Sequence, residues 1–328
     1  MIDQPRAPST VADSKKTATH ATPAAHFADR LAAAVRRYAN PVLVGLDPRY
    51  DQLPAQLQTA GDAPHPPAQA AAYRAFCQGV IDVVCKLVPA VKPQAAFFEQ
   101  LGPPGMTALA EVIDYARANG LLVIVDAKRN DIASTATAYA EGYLGEASAW
   151  RADALTVSPY LGEDSLSPFV ETAQRRGAGL FVLVKTSNPG GGMFQDLVAD
   201  GRPLYRHVAD YVEQASLQTV GQCGYGLAGA VVGATYPDQT IELRAAMPHT
   251  WFLVPGFGSQ GATARDVAGA FDERGLGAIV NNSRAIIFAH ARREYARFGA
   301  SRWQEAVEAA TRAMIEELRA DTPAGRLA

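Results

Sequence analysis

Three charged side chains crowd the end of one apolar run: Asp126, Lys128 and Asp131 fall within six positions, directly after the five apolar residues 121–125. That run reads as a strand buried on both faces, as in parallel sheets. Side chains two apart on a strand share a face, so Asp126 and Lys128 point the same way. Opposite charges at the carboxyl end of a buried parallel strand are where α/β enzymes keep acid–base and electrostatic chemistry. Plainer readings stand beside this one. Asp131 suits the N-cap of a helix over 132–143, and Asp126 with Lys128 suits an ordinary ion pair.

The rest of the chain supplies the frame for these residues. Apolar runs at 41–46, 90–93, 121–125, 154–159, 180–184, 230–234, 251–254 and 278–280 read as strands. Helical patterns follow at 66–87, 106–118, 132–143, 164–175, 204–215, 237–246, 262–271 and 303–319, and one more precedes the first strand at 24–38. Eight such units predict a (β/α)₈ TIM barrel, with the first helix covering its amino-terminal end. Residues 1–22, rich in Ala, Thr, Pro and Ser, predict a mobile tail, and 23–328 predict a single barrel domain. The segment 49–65 reads as a long loop.

Composition narrows the classes. A 48% apolar, 19% charged chain of 328 residues is an ordinary globular protein. A net charge of −3 gives no hint of a nucleic-acid surface. No apolar run is long enough to span a bilayer and no signal peptide opens the chain, so a cytoplasmic protein is expected. Three cysteines, Cys77, Cys85 and Cys223, form no disulfide framework. The six histidines show no metal-ligand spacing, so no metal site is expected.

Gly256, Gly258 and Gly261 match the dinucleotide fingerprint G-x-G-x-x-G between a strand and a helix. They lie before the last strand, however, with Asn281 and Asn282 where an acidic residue belongs. Loops after strands seven and eight are where barrels bind phosphate. The backbone of the loop 255–261, including Gly258, with the Gln260 amide and the Arg284 cation, suits a phosphate dianion better than NAD.

Read together, Asp47, Lys92, Asp126, Lys128, Asp131, Ser187, the loop from Pro255 and Arg284 resemble the orotidine 5′-phosphate decarboxylase family over roughly residues 40–290. The most specific piece is Asp126-Ala-Lys128-Arg-Asn-Asp131-Ile132, the family's D-x-K-x-x-D-I signature. The loops at 49–65 and 190–192 and the tail resemble its longer branch. The resemblance implies that Lys92, Asp126, Lys128 and Asp131 form an alternating chain of charge at the reacting carbon. It implies that Asp47 holds a ribose hydroxyl and that Ser187 bonds the pyrimidine amide edge. It implies too that Pro255 lines the ring pocket and that Gln260 and Arg284 grip the phosphate. It further implies a homodimer in which Asp131, Ile132 and Thr135 enter the neighbouring site, and a reaction needing neither metal nor cofactor.

Where the commoner form of the family ends strand eight with Gly-Arg-Ser, this chain has Asn282-Ser283-Arg284-Ala285, with the cation shifted by one position. Three other readings are weighed. A Mg²⁺-dependent sugar-phosphate lyase or decarboxylase of the same superfamily shares D-x-K-x-x-D. A catalytically silent phosphate-ligand sensor needs none of the four charged residues. Lys185, at the end of strand five, is a candidate Schiff-base lysine only if desolvated or beside other cations.

Overall fold

The computed structural model describes residues 26–58, 65–258 and 261–327. The tail expected over 1–22, part of the 49–65 loop and Gln260 lie outside them.

Eight parallel strands close into a barrel: β1 (Val42–Leu46), β2 (Ala90–Pro93), β3 (Leu122–Arg129), β4 (Ala154–Val157), β5 (Gly179–Lys185), β6 (Ala228–Val232), β7 (Phe252–Val254) and β8 (Ala278–Asn282). Each pairs with its neighbours in sequence, and β1 closes the ring against β8, with Val42 opposite Val280 and Val44 opposite Asn282. The expected TIM barrel is the observed fold.

Period-two alternation builds two cores. Val42, Val44, Val123, Val125, Leu155 and Val157 face outward, into the layer shared with the surrounding helices. Leu43, Ala90, Ile124, Ala154, Phe181 and Ile279 face inward. The helix Phe27–Tyr38 seals this interior from below. Its Phe27, Leu31 and Val35 join the inward cluster, and the Phe27 ring packs edge-on against Phe181 at 6.1 Å. The helix is tied down by Asp29, which accepts the Cys223 N–H at 2.7 Å.

Several boundaries differ from expectation. β3 runs four residues beyond the apolar stretch, to Arg129, because the top of a barrel strand faces a polar site and its charges do not end it. The helix expected over 262–271 is only the capped turn Ala264–Val267, followed by the 3₁₀ turn Ala268–Ala270. Glycine at 269 weakens any helix there. A short helix, Ala95–Glu99, and a turn of helix at Arg284–Ile287 were not anticipated. The loop after Leu53 holds the short turn Ala55–Leu57.

Candidate active site

Inward-facing positions two residues above the apolar layer carry the chemistry. Above Ala90 stands Lys92, above Ile124 stands Asp126, and above Ala154 stands Thr156; all three are buried. Asp126 lies between two ammonium groups, with Lys92 Nζ 2.7 Å from Oδ2 and Lys128 Nζ 2.6 Å from Oδ1. Gln94 Nε2 donates to Oδ2 at 3.0 Å, and the Thr156 hydroxyl donates to Oδ1 at 3.0 Å. Each carboxylate oxygen thus accepts two bonds.

These contacts set the charges. Burial alone would lower the pKa of Lys92, but the carboxylates of Asp126 and Asp47 outweigh it and hold the ammonium above its usual value. Burial would likewise raise Asp126, but Lys92 and Lys128 outweigh it and hold the carboxyl well below the usual range. Both are ionised at neutral pH. Lys128 differs from Lys92 in being 46% exposed at its side chain. Its backbone has φ 49°, a left-handed conformation uncommon for lysine. Thr156 Oγ1 accepts the backbone N–H groups of Ala127 and Lys128 at 3.0 and 2.9 Å and so holds that turn.

The cluster opens on a cavity of about 180 Å³ lined by Lys92, Asp126, Lys128, Thr156, Ser187 and Pro255, among others. Leu183, Val231 and Leu253 supply its apolar wall. Ser187 reaches it because the loop after β5 lies directly on residue 233. A Cβ there would fall 2.7 Å from the Ser187 backbone, so only glycine permits the approach. Asp47, just past β1, has a buried Oδ1 without a hydrogen-bond partner. A buried acceptor left open in this way suits a ligand hydroxyl.

A second cavity, of about 550 Å³, is lined by Phe257, Gly258, Asn282, Arg284 and Arg292, among others. Arg284 is exposed, and its side chain makes no hydrogen bond or ion pair among the described residues. Asn282 Oδ1 is buried without a partner. A guanidinium with no partner among the described residues, at the end of the last strand, suits an anion.

Asp131, Ile132 and Thr135 line neither cavity. Asp131 is no N-cap: that position is Ile132, whose N–H Asp131 Oδ1 accepts at 2.8 Å, and the helix runs Ala133–Leu144. Lys185 is fully buried, with Nζ 2.5 Å from Asp196 Oδ1 and facing the Tyr205 and Tyr236 rings. It does not line the small cavity, and its neighbours are a carboxylate and aromatic rings, not the second cation a Schiff-base lysine favours. Sequence reading missed Gln94 and Thr156, although Thr156 carries a signal in its place two residues above inward-facing Ala154. Among the described residues no group of three His, Cys, Asp or Glu is placed to hold a metal ion. No helix there is long and apolar enough to cross a membrane.

An ionised lysine–aspartate–lysine cluster over a small cavity, with a cationic mouth at the last strand, defines a barrel enzyme of acid–base and electrostatic chemistry. The chain belongs to the orotidine 5′-phosphate decarboxylase / HUMPS family, whose model matches residues 41–298. It is 57% identical over 298 residues to an orotidine 5′-phosphate decarboxylase of Rhodopirellula baltica, covering 89% of this chain and 99% of the relative. A Haloarcula marismortui protein of the same name is 44% identical over 80% of this chain and 87% of its own. The crystal structure of a putative orotidine 5′-phosphate decarboxylase from Streptomyces avermitilis superposes with a TM-score of 0.75 at 35% identity, covering 92% of this chain and 97% of that one.

Proposed function

We propose that this enzyme decarboxylates orotidine 5′-phosphate to uridine 5′-phosphate, the last step of pyrimidine nucleotide synthesis. The observation that carries the reading is Asp126 clasped between Lys92 and Lys128 at the wall of a small, half-apolar cavity. Family membership and the identity to named decarboxylases support it.

In this mechanism the pyrimidine ring occupies the small cavity, with its amide edge toward Ser187 and its face on Pro255. A ribose hydroxyl donates to the open oxygen of Asp47, and the phosphate lies at Gly258, Gln260 and Arg284. The substrate carboxylate then approaches Asp126, which its two lysines keep ionised, so like charges oppose each other before reaction. The bond from C6 to the carboxylate breaks, carbon dioxide leaves, and the electron pair stays on C6. Lys128, the accessible ammonium, stabilises that carbanion and gives it a proton; solvent then restores the ammonium. Lys92, buried on the other oxygen, keeps Asp126 charged and oriented. The phosphate is remote from the breaking bond, yet its binding energy can hold the loops closed over the ring.

The same reading includes a homodimer in which Asp131, Ile132 and Thr135 complete the neighbouring site. Their exposure supports it: Ile132 is 53% exposed, and the one hydrogen bond of the Asp131 side chain goes to its own neighbour's backbone.

The test is ultraviolet absorbance of orotidine 5′-phosphate mixed with purified protein, with and without excess EDTA. Loss of the orotate chromophore that survives EDTA and vanishes in Lys128→Ala is the expected result. Loss only with added Mg²⁺, or tight uridine 5′-phosphate binding without turnover, overturns it.

A further inference from the structure

At the opposite end of the barrel four arginines meet. A cavity of about 250 Å³ is lined by Arg30, Arg117, Arg151 and Arg176, with Leu144 and a single carboxylate, Asp153, among its other residues. Arg30 comes from the sealing helix. Arg117 ends the helix before β3, Arg151 precedes β4, and Arg176 ends the helix before β5. The carboxylate is already engaged. Asp153 is buried, its Oδ1 is 2.5 Å from Arg30 Nη1, and its Oδ2 accepts the Val123 N–H at 2.9 Å. Arg117 Nε stands 3.9 Å from that second oxygen, and its Nη1 donates to the Arg151 carbonyl at 2.5 Å. Arg176 Nε donates to the Leu144 carbonyl at 3.4 Å. The Arg151 side chain has no hydrogen bond or ion pair among the described residues.

Among its described lining residues the cavity therefore has four arginines to one carboxylate, in a chain whose net charge is −3. The excess is local and does not reflect a basic protein. Guanidinium groups drawn together around one neutralised carboxylate repel one another, and an anion joining them removes that cost. Their planar forks match phosphate oxygens, and several forks converging on one space give geometric as well as electrostatic selection. The volume equals that of roughly eight waters at about 30 Å³ each, which fits a phosphate or diphosphate group better than a whole nucleotide.

We propose that this basal cavity is an anion site for a phosphate or diphosphate group, separate from the substrate's phosphate mouth beside Arg284. Its ligand bonds the guanidinium forks around Asp153 and not the carboxylate itself. Asp153 accepts the β3 N–H of Val123 through its side chain and that of Gly179, at the start of β5, through its carbonyl. Those strands are already joined at Asp153, and an anion held by the arginines around it stabilises the folded chain by mass action. The inference does not rest on the reading of the upper face.

Isothermal titration of the full chain with inorganic diphosphate tests it, against sodium chloride of matched ionic strength. Saturable binding that raises the melting temperature is expected. Arg151 lies at φ 45°, a conformation asparagine tolerates, so Arg151→Asn removes charge without adding strain. In Arg151→Asn/Arg176→Gln the basal affinity falls by about tenfold or more, while Arg284→Ala removes binding at the upper mouth and leaves the basal site saturable. If the double variant does not fold, Arg151→Asn alone carries the comparison. Heat no greater than the salt control overturns the proposal. So does binding that persists in the basal variants and disappears in Arg284→Ala, which assigns the anion to the upper mouth.

Discussion

The Thr156 hydroxyl donates to Asp126 Oδ1 at 3.0 Å while accepting two consecutive N–H groups, those of Ala127 and Lys128. One oxygen thereby fixes both the Asp126 carboxylate and the left-handed turn that presents Lys128. Thr156→Val keeps the shape and leaves two N–H groups and one carboxylate oxygen short of a partner, at about 1–3 kcal/mol per orphaned group. The expected outcome is a drop in kcat of about tenfold to a hundredfold with little change in KM. An unchanged kcat shows that the hydroxyl is dispensable.

On the proposed mechanism, Lys128→Ala removes the proton donor while leaving the cavity beside Arg284 intact. Turnover is expected to fall by at least about 10²–10⁴-fold, with uridine 5′-phosphate affinity changed only a few-fold. Stopped turnover with lost nucleotide binding points instead to a collapsed pocket.

Arg284→Ala tests the other end of the substrate. Losing a charge-assisted contact to phosphate costs about 1.5–3 kcal/mol, so KM is expected to rise by about tenfold to a hundredfold. Added inorganic phosphite with a substrate lacking its phosphate measures the same contact from the other side. Wild type gains rate from phosphite, and the variant gains little.

The pairing of Lys92 with Asp126 makes a pH-dependent contribution to stability. Asp126 is depressed in the folded chain, so its contribution is full above the unfolded value of about 3.9 and is lost as pH falls through its folded value. Lys92 is raised, so its contribution is full below about 10.4 and is lost as pH rises through its folded value. Between these limits the pair contributes a constant amount. Urea unfolding of wild type and Asp126→Asn should differ by a constant margin from about pH 5 to 9 and converge in acid. A gap that widens on acidification contradicts the pairing.

Lys185 and Asp196 close the loop that carries Ser187, helped by Gln195, whose side chain bonds the Thr186 N–H at 3.0 Å and hydroxyl at 2.8 Å. Asp196→Asn leaves a fully buried ammonium facing a neutral amide. Removing one partner of a fully buried pair costs about 3–5 kcal/mol. Asp196 is 46% exposed, so solvent reduces the loss to about 1–2 kcal/mol. The melting temperature should fall and KM rise as the Ser187 loop loosens. Lys185→Met, which replaces the charge with an apolar chain, should lose less stability than Asp196→Asn.

Much of this was legible in the chain. All eight strands show as apolar runs because a barrel strand is buried on both faces, and Asp126, Lys128 and Lys92 interrupt those runs where the interior meets the site. Thr156 and Gln94 escaped because a neutral polar residue at a strand end does not stand out from turn chemistry; only the registry of neighbouring strands reveals which face it takes. The pairing of Lys185 was hidden for another reason. Its partner lies across a loop, and side-chain pairing over such a loop is set by tertiary packing. The basal arginines are scattered along the sequence and gather only when the barrel closes.

That closure has a further consequence. β1 pairs with β8, and a Cβ at Gly45 would fall 1.8 Å from the Ser283 hydroxyl, so the first and last strands meet with no space between them. Asp47 and Arg284, the residues proposed to hold the ribose and the phosphate, stand just past those two strands. A nascent chain still waiting for its eighth strand holds Lys92, Asp126 and Lys128 already synthesised, yet it has neither the seam nor the phosphate cation. Such long-range pairing is slow to form and comes late. On the proposed function, an active site is therefore expected only after the two ends of the barrel have joined, with the bound nucleotide acting as a clasp across the seam.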